Sequence, residues 1–221
     1  MRAMILAAGR GERLRPLTDR IPKPLVEVHG ETLIERHIRS LAAAGIRDIV
    51  VNLSWLGERI AAHLGQGSRY GVRICYSPEG ETALDTGGGI RRALPLLGEG
   101  PFWVVNADVH TDYDFSSAPP MHDALASLVL VPNPAHNPQG DFPLIDGLVG
   151  TDDVPRYTYS GVGRYRRAFF DGCPGGIFPL APIIREHAGA GRVRGEIYRG
   201  SWHDPGTPSR LEELRRQRPA P

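Results

Sequence analysis

Two glycines and a crowd of cations open the chain. Gly9 and Gly11 follow a short apolar run, Met4 to Ala8, and glycine can take positive φ and bring bare backbone N–H groups close to an anion. Arg10, Arg13, Arg15, Arg20 and Lys23 lie within fourteen residues, against one Asp and one Glu. Such a loop is suited to phosphate. Lys23 is the only lysine among twenty-six Lys plus Arg residues, and a compact ammonium on a flexible stem reaches one phosphate oxygen as a planar guanidinium does not. Its neighbours Pro22 and Pro24 hold the backbone extended. A solvated lysine in a turn is the alternative.

Two carboxylates could serve the same chemistry. Asp108 follows the apolar run Phe102 to Val105 by way of Asn106-Ala107, and a carboxylate at the carboxyl end of a buried strand suits a hard divalent cation. It could also simply begin a turn. Asp204, in Trp202-His203-Asp204-Pro205-Gly206-Thr207, is the second candidate, with capping of the helix that follows as its alternative. The eight histidines show no H-x-H or H-x-x-x-H pairing, and Cys75 and Cys173 stand apart. A transition-metal site, a zinc site and a disulfide framework are therefore not expected. The loop is neither a Walker sequence nor a dinucleotide fingerprint, because Leu14 stands where the third glycine of G-x-G-x-x-G would be.

The elements that must hold these residues alternate. Apolar runs at Met4–Ala8, 25–28, Ile46–Leu53, Val72–Tyr76 and Phe102–Val105 read as strands. Between them, Glu31–Ala44, Leu56–Leu64 and Ile90–Leu97 carry helical spacing, the first two closed by Gly45 and Gly65. Strand and helix in this rhythm predict an α/β fold with a mostly parallel, Rossmann-like sheet flanked by helices, whose ligands collect at the carboxyl ends of the strands. Gly87-Gly88-Gly89, placed before a helix, predicts close passage over a flat or charged ligand, with a hinge as the alternative. Strands are further expected at Leu125–Val131, 157–165 and 196–198, and helices at 181–190 and 209–218. Between the first two of these strands lies the stretch 133–153, rich in Pro, Gly and Asp. With no linker in view the chain is taken as one domain, 1–221, with a nucleotide-binding half (1–110) and an acceptor half (111–221).

Totals narrow the class. A net charge of +1 over 221 residues argues against a general nucleic-acid binder, since the cations are local. The apolar run after Met1-Arg2 is too short for a signal peptide, and no segment approaches the ~20 apolar residues of a membrane span. A cytoplasmic enzyme with no membrane partner is expected. No oligomeric state can be read.

The run Leu6-Ala7-Ala8-Gly9-Arg10-Gly11-Glu12-Arg13-Leu14-Arg15-Pro16-Leu17-Thr18, with Pro22-Lys23-Pro24-Leu25, closely resembles the signature of sugar-1-phosphate nucleotidylyltransferases, and Asn106-Ala107-Asp108 and Trp202–Thr207 resemble that family's two metal-carboxylate segments. Ser77-Pro78-Glu79, Asp85–Gly89, Gly140-Asp141-Phe142 and the short C-terminus look most like the branch that uridylylates N-acetylmuramate 1-phosphate in cell-wall recycling. The resemblance implies UTP and a sugar 1-phosphate as substrates and Mg²⁺ as cofactor. It makes Arg13 and Lys23 the catalytic cations and Asp108 and Asp204 the metal ligands. Ala8, Gly9, Gly11, Arg13, Lys23, Glu79, Gly87 and Gly88 would bind nucleotide, and Asn106, Asp141, Ser160 and Gly161 the sugar phosphate, with Arg156 or Arg164 near the lactyl carboxylate. A guanylyltransferase of mannose- or heptose-1-phosphate shares the first-loop motifs, and a non-catalytic nucleotide-sugar sensor is the alternative of another class. Two departures stand out: Ala107 replaces a usual glycine, which would cost about 1 kcal/mol if that residue needed positive φ, and Pro205 removes a backbone donor.

Overall fold

The computed structural model describes residues 1–152 and 155–217. A nine-stranded sheet runs through the whole of it. In chain order its strands are β1 (Arg2–Leu6), β2 (Asp48–Leu53), β3 (Arg73–Pro78), β4 (Phe102–Asn106), β5 (Ala126–Val131), β6 (Phe142–Ile145), β7 (Leu148–Val149), β8 (Arg156–Tyr165) and β9 (Val193–Ile197). Across the sheet they lie in the order β3-β2-β1-β4-β8-β5-β9-β7-β6. Among the described residues five α-helices complete the framework: α1 (Leu33–Ala43), α2 (Gly57–Leu64), α3 (Asp85–Leu97), α4 (Leu180–Gly189) and α5 (Pro208–Arg216).

The first half follows from handedness. β1, β2 and β3 step outward in parallel, so right-handed crossovers place α1 and α2 on one face. The chain then returns past β1 to β4, and the reversed step puts α3 on the opposite face. Ile34, Ile38, Leu41, Ile60 and Leu64 accordingly pack on Ile5, Ile49 and Val51, while Ile90, Ala93 and Leu94 pack on Met4, Val50 and Val104. With both faces covered, β1, β2 and β4 are buried along most of their length, whereas β3, at the edge, alternates. The direction of winding reverses between β1 and β4, which is where a doubly wound sheet leaves a crevice at its carboxyl ends.

The second half departs from the expected pattern: the sheet is mixed. β8 is antiparallel to β4, β5 and β6, β7 is antiparallel to β6 and β9, and only β5 with β9 is parallel. The Pro-, Gly- and Asp-rich stretch holds the hairpin β6–β7, turned by Asp146 and Gly147, both at positive φ. Asp-Gly between apolar residues is a type I′ turn signal, outweighed in the sequence by the surrounding prolines and glycines. Of residues 25–28, expected as one strand, Leu25 closes the 3-10 turn Lys23–Leu25 and only Glu27–Val28 is a strand, paired antiparallel with Glu31–Thr32. α3 begins at Asp85, so the three glycines lie inside it rather than before it. Residues 153 and 218, which bound two of the expected segments, fall outside the described residues. Among those described, no helix is long and apolar enough to cross a membrane.

Two polar chains brace the crevice. The Ala7 N–H donates to Asn52 Oδ1 at 2.7 Å, Asn52 Nδ2 donates to Glu79 Oε1 at 2.6 Å, and the Leu84 N–H donates to Glu79 Oε2 at 2.7 Å. This ties β1, β2, the end of β3 and the start of α3 together. On the other side, buried His37 of α1 donates from Nε2 to the Val109 carbonyl at 2.8 Å, one residue beyond Asp108. Burial pushes its pKa down from 6.5 to about 4, against the opposing effect of that hydrogen bond.

Two outcomes follow from these contacts. Glu79→Gln must present an NH₂ to one of two N–H donors, so it should cost about 1–3 kcal/mol and speed amide exchange at Leu84; unchanged exchange would show that the chain carries no load. For His37 the folded pKa lies below the unfolded one, so its contribution to stability is complete above pH 6.5 and is lost as pH falls towards 4. The loss at pH 5 is about 2 kcal/mol from this group. His110, lowered to about 4 by burial and then by Arg36, acts with the same sign. His37→Gln keeps a donor for Val109 and should remove the His37 share, read from urea midpoints at pH 7 and pH 5.

Candidate active site

The glycine loop begins where β1 ends. Gly11 takes φ 69°, and a Cβ there would meet Thr18 Cγ2 at 3.0 Å and Lys23 Cβ at 3.1 Å. Thr18 Oγ1 donates to the Gly11 carbonyl at 2.8 Å. The loop therefore closes on the Pro22–Pro24 turn and carries Lys23 inward, whereas Gly9 stays out of the positive-φ region and faces open space.

Lys23 ends in a pair of carboxylates. Its side chain is only 6% exposed, and Nζ donates to Asp108 Oδ2 at 2.6 Å and lies 3.8 Å from Asp204 Oδ1. A buried ammonium is tolerated only with such partners. Asp108 is delivered by β4, whose exit is pinned by the Ala107 N–H donating to the Leu6 carbonyl at 3.0 Å. Ala107 is buried and outside the positive-φ region, so the alanine brings no strain. Asp204 arrives from almost the other end of the chain. The segment Trp202–His203 pairs antiparallel with His110–Thr111, and Trp202 Nε1 donates to the Ser160 carbonyl at 2.9 Å. Behind it, Leu211 and Leu214 of α5 pack on Leu14, Val26 and Leu33, docking the last helix against the glycine loop.

Asp204 is surrounded by cations. Arg210 Nη2 lies 3.3 Å and His136 Nε2 3.4 Å from its Oδ2. Desolvation and then Arg210 push the His136 pKa below its ordinary value, with Asp204 opposing, which favours the neutral imidazole. Pro205 and Gly206 are buried, and a Cβ on Gly206 would lie 2.8 Å from Asp204 Oδ1 and 3.0 Å from Arg13 Nη2, which places the Arg13 guanidinium beside Asp204.

Two cavities meet at Asn106 and Asp108. One, about 220 Å³, is walled by the end of β1 and the glycine loop (Ala8, Gly9, Gly11), by Lys23, by Glu79, and by Ala83, Asp85 and Thr86. The other, about 240 Å³, is walled by Arg13, His136 and Asn137, Thr158, Ser160 and Gly161, Trp202 and Asp204. Gly161 sits at φ 81° at the irregularity in β8, where a Cβ would come within 2.8 Å of Asn106 Nδ2. Most expected residues are thus gathered, with Arg13 on the second cavity rather than the first.

Several expected residues are placed elsewhere. Gly87 and Gly88 do not line either cavity: their N–H groups donate to the Phe178 carbonyl at 3.0 and 3.1 Å, and a Cβ on either would overlap Phe178 or the Gly176 carbonyl. The glycines allow close packing of α3 under residues 176–178. Both oxygens of Glu79 are taken up by Asn52 and Leu84, so it braces the wall. Asp141 accepts from the Tyr159 N–H at 2.8 Å and is absent from both cavity walls. Arg164 stacks over Trp103 and donates to the Pro119 carbonyl, among the Tyr113 and Phe115 side chains of the opposite layer, and Arg156 is exposed on the edge beside β6, so neither lines a cavity. Asn52, Thr86, His136 and Arg210 were not singled out from sequence. Isolated polar residues on different elements carry no spacing that reveals them.

The sequence profile of the Nucleotidyl transferase family matches residues 2–146. Over 96% of both chains the protein is 50% identical to an N-acetylmuramate alpha-1-phosphate uridylyltransferase of Neisseria meningitidis, and it is 37% identical to one of Caulobacter vibrioides over 93% of this chain and 92% of that one. Its fold matches a crystal structure of a glucose-1-phosphate thymidylyltransferase from Bacillus anthracis with a TM-score of 0.85 at 20% identity, covering 97% of this chain and 94% of that one. A doubly wound sheet with a glycine loop at its switch point, a lysine between two aspartates, and these likenesses along nearly the whole length lead to one conclusion: the chain belongs to the nucleotidyl transferase family, as a sugar-1-phosphate nucleotidyltransferase.

Proposed function

We propose that the protein transfers a uridylyl group from UTP to N-acetylmuramate 1-phosphate, giving UDP-N-acetylmuramate and pyrophosphate. The observation that carries the reaction class is the convergence of Lys23, Asp108 and Asp204 where the two cavities join. The choice of base and sugar rests on the half-identical Neisseria relative.

An oxygen of the sugar phosphate attacks the α-phosphorus, the bond from that phosphorus to the oxygen bridging to the β-phosphate breaks, and pyrophosphate leaves. The nucleophile is already ionised, so no general base is required. What the reaction needs is to hold two polyanions together. In this reading the first cavity, built from residues of the 1–110 half, takes the nucleotide, and the second, built largely from the 111–221 half, takes the sugar. Lys23, at the seam, meets the α-phosphate and the incoming phosphate together. Arg13, beside Asp204, adds charge for the departing pyrophosphate, and Asn106 and Gly161 shape the wall between donor and acceptor. Ser160 holds that wall from within, since its hydroxyl accepts from the Val162 N–H at 3.1 Å.

Asp108 and Asp204 fit a divalent cation, Mg²⁺ in this proposal, because one ammonium already spans both carboxylates and two carboxylates plus substrate phosphates are the usual Mg²⁺ donor set. When bound, the ion would neutralise charge on the phosphates. Among the described residues no group of three or more His, Cys, Asp or Glu is placed to hold a metal unaided, so substrate phosphates and water would complete the shell.

Pyrophosphate release should be fastest with UTP and N-acetylmuramate 1-phosphate, lost on chelation and restored by Mg²⁺; faster release with GTP and mannose 1-phosphate would overturn the assignment of base and sugar. Lys23→Ala and Asp108→Ala should each lower kcat by about 10²-fold or more while leaving the far-ultraviolet dichroism unchanged. Lys23→Arg should not rescue, because a planar guanidinium does not fit a pocket closed around an ammonium. Near-normal kcat in either alanine variant would remove that residue from the reaction centre.

A further inference from the structure

Arg10, in the glycine loop itself, is left without a role by this scheme. Arg10 lies between Gly9 and Gly11, both of which line the nucleotide-side cavity, yet its own guanidinium is turned away and rests over the Trp55 ring, 4.3 Å from the centroid. The two residues differ in freedom. Trp55 is half-buried and fixed, its Nε1 donating to the Thr18 carbonyl at 3.0 Å, and Arg59 secures the same loop by donating to the Arg20 carbonyl. Arg10 is exposed, and among the described residues it is paired with no carboxylate, whereas Arg15 is bound to Asp19 at 2.8 Å and Lys23 to Asp108.

We infer that Arg10 is a movable grip for the triphosphate: it rests on the Trp55 face in the free protein and leaves it to pair with the β- and γ-phosphates of the bound nucleotide. A cation–π contact at an exposed site is weak enough to be exchanged for a charge-assisted pair with phosphate. The loop has room beside the arm, because Gly9 has no atom within 4 Å of where a Cβ would lie. The inference deepens the proposed reaction and rests on its placing of the nucleotide in the first cavity. It concerns binding of the donor, not the chemical step.

Two readouts test it, both in saturating Mg²⁺. UTP should change the emission of Trp55, identified as the part of the signal lost in Trp55→Phe, since Trp103 and Trp202 remain in that variant. Arg10→Met should begin with the altered emission and show no further change. In calorimetry Arg10→Met should weaken UTP by about 10-fold and leave UMP, which lacks the β- and γ-phosphates, within about twofold, with Arg10→Lys recovering most of the loss. Equal weakening of UTP and UMP, or a Trp55 signal indifferent to UTP in the unaltered protein, overturns the inference. Tight UTP binding with no uridylyl transfer counts against the proposed reaction alone, and an unaltered protein that prefers another nucleoside triphosphate is scored with that nucleotide and its monophosphate.

Discussion

A single buried ammonium holds this structure's purpose together. Lys23 is almost wholly enclosed, and the charge is tolerable because Asp108 faces it at 2.6 Å and Asp204 stands within 3.8 Å. Each partner comes from a different part of the chain, so the ion cluster requires the glycine loop, the end of β4 and the strand before α5 to arrive at one point. The fold can be understood as the means of meeting that requirement.

The parallel half supplies the first two. Reversal of winding between β1 and β4 opens the crevice, and the Ala107 N–H on the Leu6 carbonyl fixes the distance between the glycine loop and Asp108. Asp204 needs a longer route. β8 turns the sheet antiparallel beside β4, its bulge at Gly161 leaves room for Asn106, and the Ser160 carbonyl takes the Trp202 indole. The antiparallel half is thus what carries the C-terminal carboxylate back to the parallel one.

Glycine serves two ends here that a sequence pattern does not separate. Gly11 needs its left-handed backbone so that the loop can close on Lys23. Gly87, Gly88 and Gly89 lie in a regular helix and need only their lack of a side chain, because Phe178, Gly176 and Glu79 occupy the space a Cβ would fill. Both runs read alike as ligand-contacting loops, and only one lies on a cavity wall.

The sequence by itself determined what depends on neighbours along the chain. The alternation of apolar runs and helical spacing set the order β1-α1-β2-α2-β3-α3-β4, the loop with its solitary lysine was recognisable from residue types, and Asp108 was readable from its place after a buried strand. Tertiary structure decided what depends on contacts across the chain. The β6–β7 hairpin, the antiparallel pairing of β8, the use of both Glu79 oxygens within the wall and the positions of Arg156 and Arg164 away from the cavities all rest on partners far off in sequence. Local propensity fixes which elements form, but which face a side chain presents, and what it meets there, is set only when the elements pack.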